Sequence, residues 1–301
     1  MLNEEKEIWG IEKNRIHNID CLNGMALIKS ESVDLIFCDL PYGITALNRW
    51  DSIIDPKLLW AQYERIIKPN GAIILFGQDR FTAKMISSNM KLFRYCLIWH
   101  KTQPAGFLNA NRRPLKAHED IMVFYKRLPT YNPQKTAGHK RKISAAEHKQ
   151  NCMISTNYRD FKPYSYDSTE RYPTSILTFK SDKQTGYYHP TQKPLDLCRY
   201  IIRTYSNPGD LVLDNCCGSG TIPLAAKLES RNYIGMDNGI CENRESKHFE
   251  KPWADIATAR IEEEGELNIF PSFIPPAPQE TDSPQGPAAE ITQVCVFAVV
   301  S

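Results

Sequence analysis

An α/β fold, with helices and strands alternating along a largely parallel sheet, is predicted by three features of this chain. First, short β-prone runs alternate with runs of helical apolar spacing from Arg15 to Tyr125, and again from Lys193 to Asp237. Second, four of the predicted strands stop at or just before an aspartate: Asp20, Asp39, Asp214 and Asp237. Third, the small-residue turn Asn215-Cys-Cys-Gly-Ser-Gly-Thr221 leads from a strand straight into a helix, which is how open α/β sheets build ligand sites at their carboxyl edge.

The elements follow in order. Arg15 to Ile19 reads as a short strand and Leu22 to Ile28 as a short helix leading into the strand Val33 to Cys38, which Pro41 and Gly43 terminate. Leu58 to Ile67 has helical spacing, and Lys68-Pro-Asn-Gly71 is a stop before the strand Ala72 to Phe76. Arg80 to Met90 repeats the helix and Phe93 to Trp99 the strand. A polar connection, Lys101 to Glu119, precedes the strand Ile121 to Tyr125. After the segment 128–183, Lys193 to Tyr205 reads as a helix, Asp210 to Asp214 as a strand, Ile222 to Leu228 as a helix and Tyr233 to Asp237 as a strand. The core is expected to end near Arg260 to Glu264.

Composition bounds the function. With 301 residues, 42% of them hydrophobic, the chain can bury a large core. Its charged start and the lack of any run of about 18 apolar residues argue against secretion and membrane insertion, and a cytoplasmic setting is expected. The nine cysteines are scattered and none is in a C-x-x-C spacing, so neither a metal site nor a disulfide framework is predicted. The net charge of +2 hides an acidic end: without the residues from Gly265 onward the remainder stands at +6. Six prolines between Pro271 and Pro287 predict a disordered tail.

Two stretches carry the chemistry. Asp39-Leu40-Pro41-Tyr42 places a carboxylate, a rigid turn and an aromatic ring at a strand end, although a strand-terminating turn would read the same way. In the second stretch, Gly218 and Gly220 allow close approach of backbone to a ligand at a helix N-terminus, and Asp237, about 20 positions on, suits a ribose diol. A full G-x-G-x-x-G and a Walker lysine are both missing, so dinucleotide and triphosphate binding are disfavoured. Between these stretches, segment 128–183 has ten Lys/Arg against five Asp/Glu. Tyrosines including Tyr131, Tyr158 and Tyr172 are interleaved with Lys140-Arg141-Lys142, Arg159, Lys162 and Arg171, a mixture suited to phosphates and bases; a solvated insertion is the alternative.

Taken in order, Asp39-Leu-Pro-Tyr42, the basic aromatic segment, His189-Pro-Thr-Gln-Lys-Pro194 and Asp214 to Thr221 resemble the β-class amino-methyltransferases. These S-adenosylmethionine-dependent enzymes methylate exocyclic amines of DNA bases. The resemblance covers roughly residues 15 to 240. It implies a Rossmann-like methyltransferase fold in circularly permuted motif order, with a mostly parallel seven-stranded sheet and helices on both faces. It further implies a catalytic half (1–127), a target-recognition insertion (128–183) and a cofactor-binding half of the same core (184–264), followed by the tail (265–301).

By the same resemblance, Asp39, Leu40, Pro41 and Tyr42 form the catalytic block. Asp214, Cys216, Gly218, Ser219 and Gly220 wrap the methionine part of S-adenosylmethionine, Asp237 binds its ribose, and Asp20 and Cys21 lie against its adenine. Lys193 meets its carboxylate with Thr191 nearby. Trp50 or Phe107 closes the base pocket or simply packs. The sequence departs from the family at Leu40, usually proline, and at Asn215-Cys216, commonly Pro-Phe; Cys216 would loosen cofactor packing. The implied activity is site-specific methylation of adenine N6 in a base flipped out of double-stranded DNA, in a bacterial or phage-encoded restriction-modification setting, by a monomer or homodimer. Cytosine-N4 methylation, for which the family more often has Ser at position 39, is the nearest alternative. An RNA or protein-glutamine methyltransferase and a catalytically dead DNA-binding relative are more distant ones.

Overall fold

The computed structural model describes residues 7–8, 10–43, 52–145, 165–181, 192–242, 246 and 248–267. They form two compact units, one comprising residues up to Lys135 and from Arg171 onward, the other running from Thr136 to Glu170.

In chain order, the ribbon β1 (Glu7–Ile8) and β2 (Ile11–Glu12) precedes β3 (Arg15–His17), α1 (Cys21–Ala26), β4 (Val33–Cys38) and α2 (Pro56–Ile66). Next come β5 (Ile67–Gly77), α3 (Asp79–Ser88), β6 (Phe93–Ala105), a short 3-10 turn (Phe107–Asn109) and β7 (Lys116–Tyr125). The smaller unit holds β8 (Lys142–Ser144) and β9 (Tyr166–Ser168), an antiparallel pair tied by the Arg141–Asp167 ion pair. The larger unit resumes with β10 (Ile176–Phe179), α4 (Leu195–Tyr205), β11 (Leu211–Asp214), α5 (Thr221–Leu228), β12 (Asn232–Met236) and α6 (Trp253–Leu267).

One sheet organises the larger unit, in the order β10-β6-β7-β5-β4-β11-β12-β3. Every neighbouring pair is parallel except the two that involve β7, so β7 alone runs against the rest. The apolar run of β4 follows from burial on both faces, as parallel sheets require. Leu35 and Phe37 join a core with residues of α4, α5 and α6, such as Ile201, Leu224 and Ala257. Ile36 and Cys38 join the opposite core with Met25 of α1, Tyr63 of α2 and Phe81 of α3. Helices therefore cover both faces, as predicted.

The sheet has eight strands where seven were expected, and the addition is β10. Its residues alternate between exposed and buried, and it pairs in parallel with β6 at the sheet edge. A four-residue edge strand with one wet face leaves little signal in a polar segment. Two boundaries also differ. The stop signal Lys68 to Gly71 lies inside β5, where a register shift against β4 absorbs it and Lys68 pairs with Asp34 at 2.6 Å. The predicted connection 101–119 is strand at both ends: β6 and β7 continue into it as a hairpin with Ala105 opposite Lys116. Its outer residues are polar because they stand in solvent rather than against a helix. At the carboxyl end, α6 runs past Glu264 to Leu267.

Candidate active site

Four adjacent strand ends bring the four aspartates together. In the order β4-β11-β12-β3, Asp39 follows β4, Asp214 closes β11, Asp237 follows β12 and Asp20 stands between β3 and α1. Because these strands are parallel, all four lie at the carboxyl edge of the sheet. They line one open cavity of about 1300 Å3.

Asp39 is the most elaborately held of the four. Tyr42 donates its hydroxyl to Asp39 Oδ1 at 2.7 Å, and Lys193 Nζ lies 2.7 Å from Oδ2. The tight Leu40-Pro41 turn makes the Tyr42 contact local, while Leu40 buries its side chain in the core beside β4. That burial explains why leucine serves where proline is usual: the position contributes backbone and packing. The Tyr42 ring is packed on Phe81, with centroids 4.6 Å apart, and Lys193 Nζ stands 5.5 Å from its centre.

Lys193 is only 7% exposed and is shared. It is 3.1 Å from Glu119 Oε2, at ion-pair distance although not aligned as a hydrogen bond, and Glu119 Oε1 meets Lys101 at 2.5 Å. The result is a chain of alternating charges, Lys101, Glu119, Lys193 and Asp39, ending at the Tyr42 hydroxyl. Burial opposes ionisation of Asp39, Glu119 and Lys193, but the charges answer one another. Asp39 stays above the usual carboxylate range because burial outweighs Lys193, and Glu119 falls below it because its two lysines outweigh burial. Burial also opposes the Lys193 charge, yet the two carboxylates prevail and raise its pKa. Lys193, expected at the cofactor carboxylate, is thus engaged with the Asp39 block. Glu119 and Lys101 escaped the sequence reading, since an isolated His-Glu-Asp in a β-strand run carries no motif.

The second half of the site is the turn after β11. Asp214 is buried, accepts a hydrogen bond from Cys216 N, and has no lysine or arginine partner among the described residues. Burial pushes its carboxyl well above the ordinary range. Asp237 is no helix cap: Oδ2 accepts from Gly218 N at 2.9 Å and Oδ1 from Gly239 N at 2.8 Å, and burial raises its pKa. Asn215 anchors the turn, its Oδ1 accepting from Tyr63 Oη at 2.6 Å and from Cys38 Sγ at 2.8 Å. Arg260 of α6 braces it from the other side through the Ser219 carbonyl and the Thr221 hydroxyl. Asn215 and Arg260 thus do structural work that their sequence context did not announce.

The two glycines have different reasons. Both have positive φ, +48° at Gly218 and +76° at Gly220. A Cβ at Gly220 would sit 2.8 Å from the Ala257 methyl, so that glycine serves the packing of α6; a Cβ at Gly218 would meet nothing within 4 Å. Only Gly218 therefore opens onto ligand space. Asp20 caps α1, accepting from Leu22 N and Asn23 N, both at 3.1 Å. Next to it, the buried Cys21 thiol pairs with that of Cys216, which lowers the pKa of Cys21 and raises that of Cys216. Cys217 is buried in the core.

Among the described residues no cysteine is in a disulfide, no cluster suited to a metal occurs, and no helix is long and apolar enough to cross a membrane. Thr191, Arg159, Lys162, Trp50 and Tyr158 lie outside the described residues, as does the tail from 268 on. Arg141 is engaged by Asp167 in the smaller unit, which also holds Lys140 and Lys142. Phe107 neither packs in the core nor lines the cavity, being 81% exposed.

Comparison with known proteins agrees with this geometry. A family model described as DNA methylase matches residues 33–245. Type II methyltransferase M1.MboII of Moraxella bovis is 28% identical over 247 residues, which cover 75% of this chain and 92% of that protein. DNA adenine methyltransferase YhdJ of Escherichia coli (strain K12) is 28% identical over 244 residues, covering 76% and 80%. The crystal structure of the M1.HpyAVI-SAM complex shares the fold with a TM-score of 0.53 at 24% identity, covering 82% of this chain and 98% of that one. So does the cytosine-N4-specific PvuII DNA methyltransferase, with a TM-score of 0.52 at 17% identity, covering 82% and 91%.

Proposed function

Because this chain belongs to the DNA methylase family, we propose that it transfers a methyl group from S-adenosylmethionine to the exocyclic N6 of an adenine flipped out of double-stranded DNA. The observation that carries this reading is the Asp39 carboxylate, oriented by Tyr42 and Lys193 in the same cavity as the Asp214 turn.

The residues of that turn suit S-adenosylmethionine. A buried carboxylate without a cation, Asp214, calls for an ammonium group such as the one on the methionine part. Gly218 leaves room beside it, and Asp237, already oriented by two backbone N–H groups, keeps lone pairs for ribose hydroxyls. Asp20 and Cys21 flank the place for adenine. Bound there, the cofactor supplies an electrophilic methyl on a positively charged sulfur.

An exocyclic base amine is a poor nucleophile because its lone pair is delocalised into the ring. Asp39 accepts one amine N–H and the Leu40 carbonyl the other, which turns the lone pair out of the ring plane and stabilises the charge developing on nitrogen. The raised pKa of Asp39 suits it to take up the proton the amine loses. Tyr42, buttressed by Phe81, offers the aromatic wall against which an extruded base stacks. Segment 128–183 supplies target recognition, with Lys140, Lys142 and Arg171 as phosphate contacts.

Adenine is favoured over cytosine by Asp at position 39 and by the adenine specificity in the name of one relative. The test is incubation with methyl-labelled S-adenosylmethionine and unmethylated DNA, followed by digestion to nucleosides and mass spectrometry. N6-methyladenine is expected. N4-methylcytosine would transfer the reading to the other base, and no labelled nucleoside would defeat it.

A further inference from the structure

The β6–β7 hairpin carries a tip that the site described so far does not use. Since β6 runs parallel to β4, its carboxyl end lies on the sheet edge that bears Asp39. Thr102 to Ala105 line the same cavity as Asp39 and Tyr42, and Ala105 still pairs with Lys116 across the hairpin. Beyond that pair Gly106, at φ +90°, starts the 3-10 turn that presents Phe107 and Leu108. These are 81% and 95% exposed.

Single exposed apolar residues are ordinary. Two in succession, on a two-stranded arm whose base lines a cavity, are not. The arm is also cationic: from Lys101 to Lys116 it carries four basic residues and no acid. Lys101 and Lys116 are engaged by Glu119 and Asp79. Arg112 and Arg113, directly after the tip, are exposed, with no carboxylate at ion-pair distance among the described residues. An apolar point flanked by exposed arginines that form no ion pair among the described residues is complementary to one partner above others, a nucleic-acid duplex with its apolar stack inside and phosphates outside.

We propose that Phe107 and Leu108 form a wedge that enters the DNA stack when the target base leaves it, while Arg112 and Arg113 hold the adjoining phosphates. The inference rests on the reading that this chain methylates a base in duplex DNA. Extruding a base leaves the apolar faces of its neighbours unstacked, and an inserted apolar side chain restores that contact and favours the flipped state. The hairpin connects this point to the cavity in which the extruded base would lodge, so insertion and extrusion are mechanically one event.

The test uses full-length protein and a duplex bearing the motif found methylated in DNA from cells that express it. A Phe107→Ser, Leu108→Ser variant and wild type are compared in single-turnover methylation on the paired duplex, and on one with an abasic site opposite the target, where the base is already loosened. The variant should be about 10- to 100-fold slower on the paired duplex, the worth of one base–aromatic stacking interaction, and within about twofold of wild type on the abasic one. Arg112→Ala, Arg113→Ala should instead weaken binding to both and reduce the salt dependence. Equal loss on both duplexes, no loss on either, or a changed sedimentation coefficient of the free serine variant would overturn the wedge. Wild type inactive on both would sink the methyltransferase reading and the wedge with it.

Discussion

Replacing Lys193 by methionine isolates the role of the charge chain beneath Asp39. The substitution keeps length and burial while removing the cation that lies 2.7 Å from Asp39 and 3.1 Å from Glu119. At an effective dielectric of about 20, ion pairs at those distances are each worth about 5–6 kcal/mol before desolvation is counted. Because the lysine also escapes its own desolvation, the net loss should be the about 3–5 kcal/mol typical of stranding a buried charge. At about 2 °C per kcal/mol in a chain this large, the melting temperature should fall by about 6–10 °C at pH 8.

The pH dependence gives the sign. In the variant Asp39 loses its ion-pair partner and still faces the buried Glu119, which keeps Lys101, so the folded pKa of Asp39 rises further above its unfolded value. Its contribution is then intact below the ordinary carboxylate range, near 4, and is lost as pH rises through the folded value. In wild type Glu119 behaves oppositely: its lowered pKa contributes stability at neutral pH that fades as pH falls through the folded value. The Asp39 effect narrows the gap between variant and wild type as pH falls from 8 to 5, whereas the Glu119 effect acts only below the ordinary carboxylate range. Thermal melts followed by circular dichroism at pH 8 and pH 5 measure it. A gap that is absent at pH 8, or that widens at pH 5, would refute the shared-lysine arrangement.

Asp39→Ala should retain cofactor and DNA binding and lose nearly all methyl transfer, since the interaction it removes strengthens in the transition state; a near-normal single-turnover rate would end the catalytic assignment. Asp214→Asn should weaken S-adenosylmethionine binding at least tenfold in calorimetry while leaving the melting temperature at or above that of wild type, because it removes a buried unpaired charge. Gly220→Ala should destabilise by about 2–4 kcal/mol, combining positive φ with the 2.8 Å approach to Ala257, whereas Gly218→Ala should cost only the about 1–2 kcal/mol of its φ and act mainly on cofactor affinity; thermal melts and calorimetry separate the two. Neutralising Lys140 and Lys142 together should flatten the salt dependence of DNA binding, by about 0.9 in slope for each phosphate left without its cation.

Periodicity alone determined the alternation of helix and strand, because β4, β5, β11 and β12 are buried on both faces and their apolar runs admit few other readings. Local chemistry also placed Asp20, Asp39, Asp214 and Asp237 at strand ends, where Pro41, Gly218 and their neighbours interrupt the backbone. The order of the sheet was beyond such reasoning, as was the addition of β10, whose four residues gain their buried face only from β6 and α4.

The same distinction holds within the site. A motif displays residues that are close in sequence, and Asp39 with Tyr42 is such a pair. The partners that set the charge of Asp39 are far away in the chain: Glu119 comes from β7, the strand that runs against the rest of the large sheet, and Lys193 from the approach to α4. Asn215 to Tyr63 and Arg260 to Ser219 are likewise hydrogen bonds between residues 152 and 41 positions apart. Hydrogen bonds and ion pairs depend on distance in space, which only the folded sheet establishes. The chain could therefore announce which carboxylates and rings stand at the strand ends, while tertiary structure alone decided that they share one cavity, what holds them and in which state of charge.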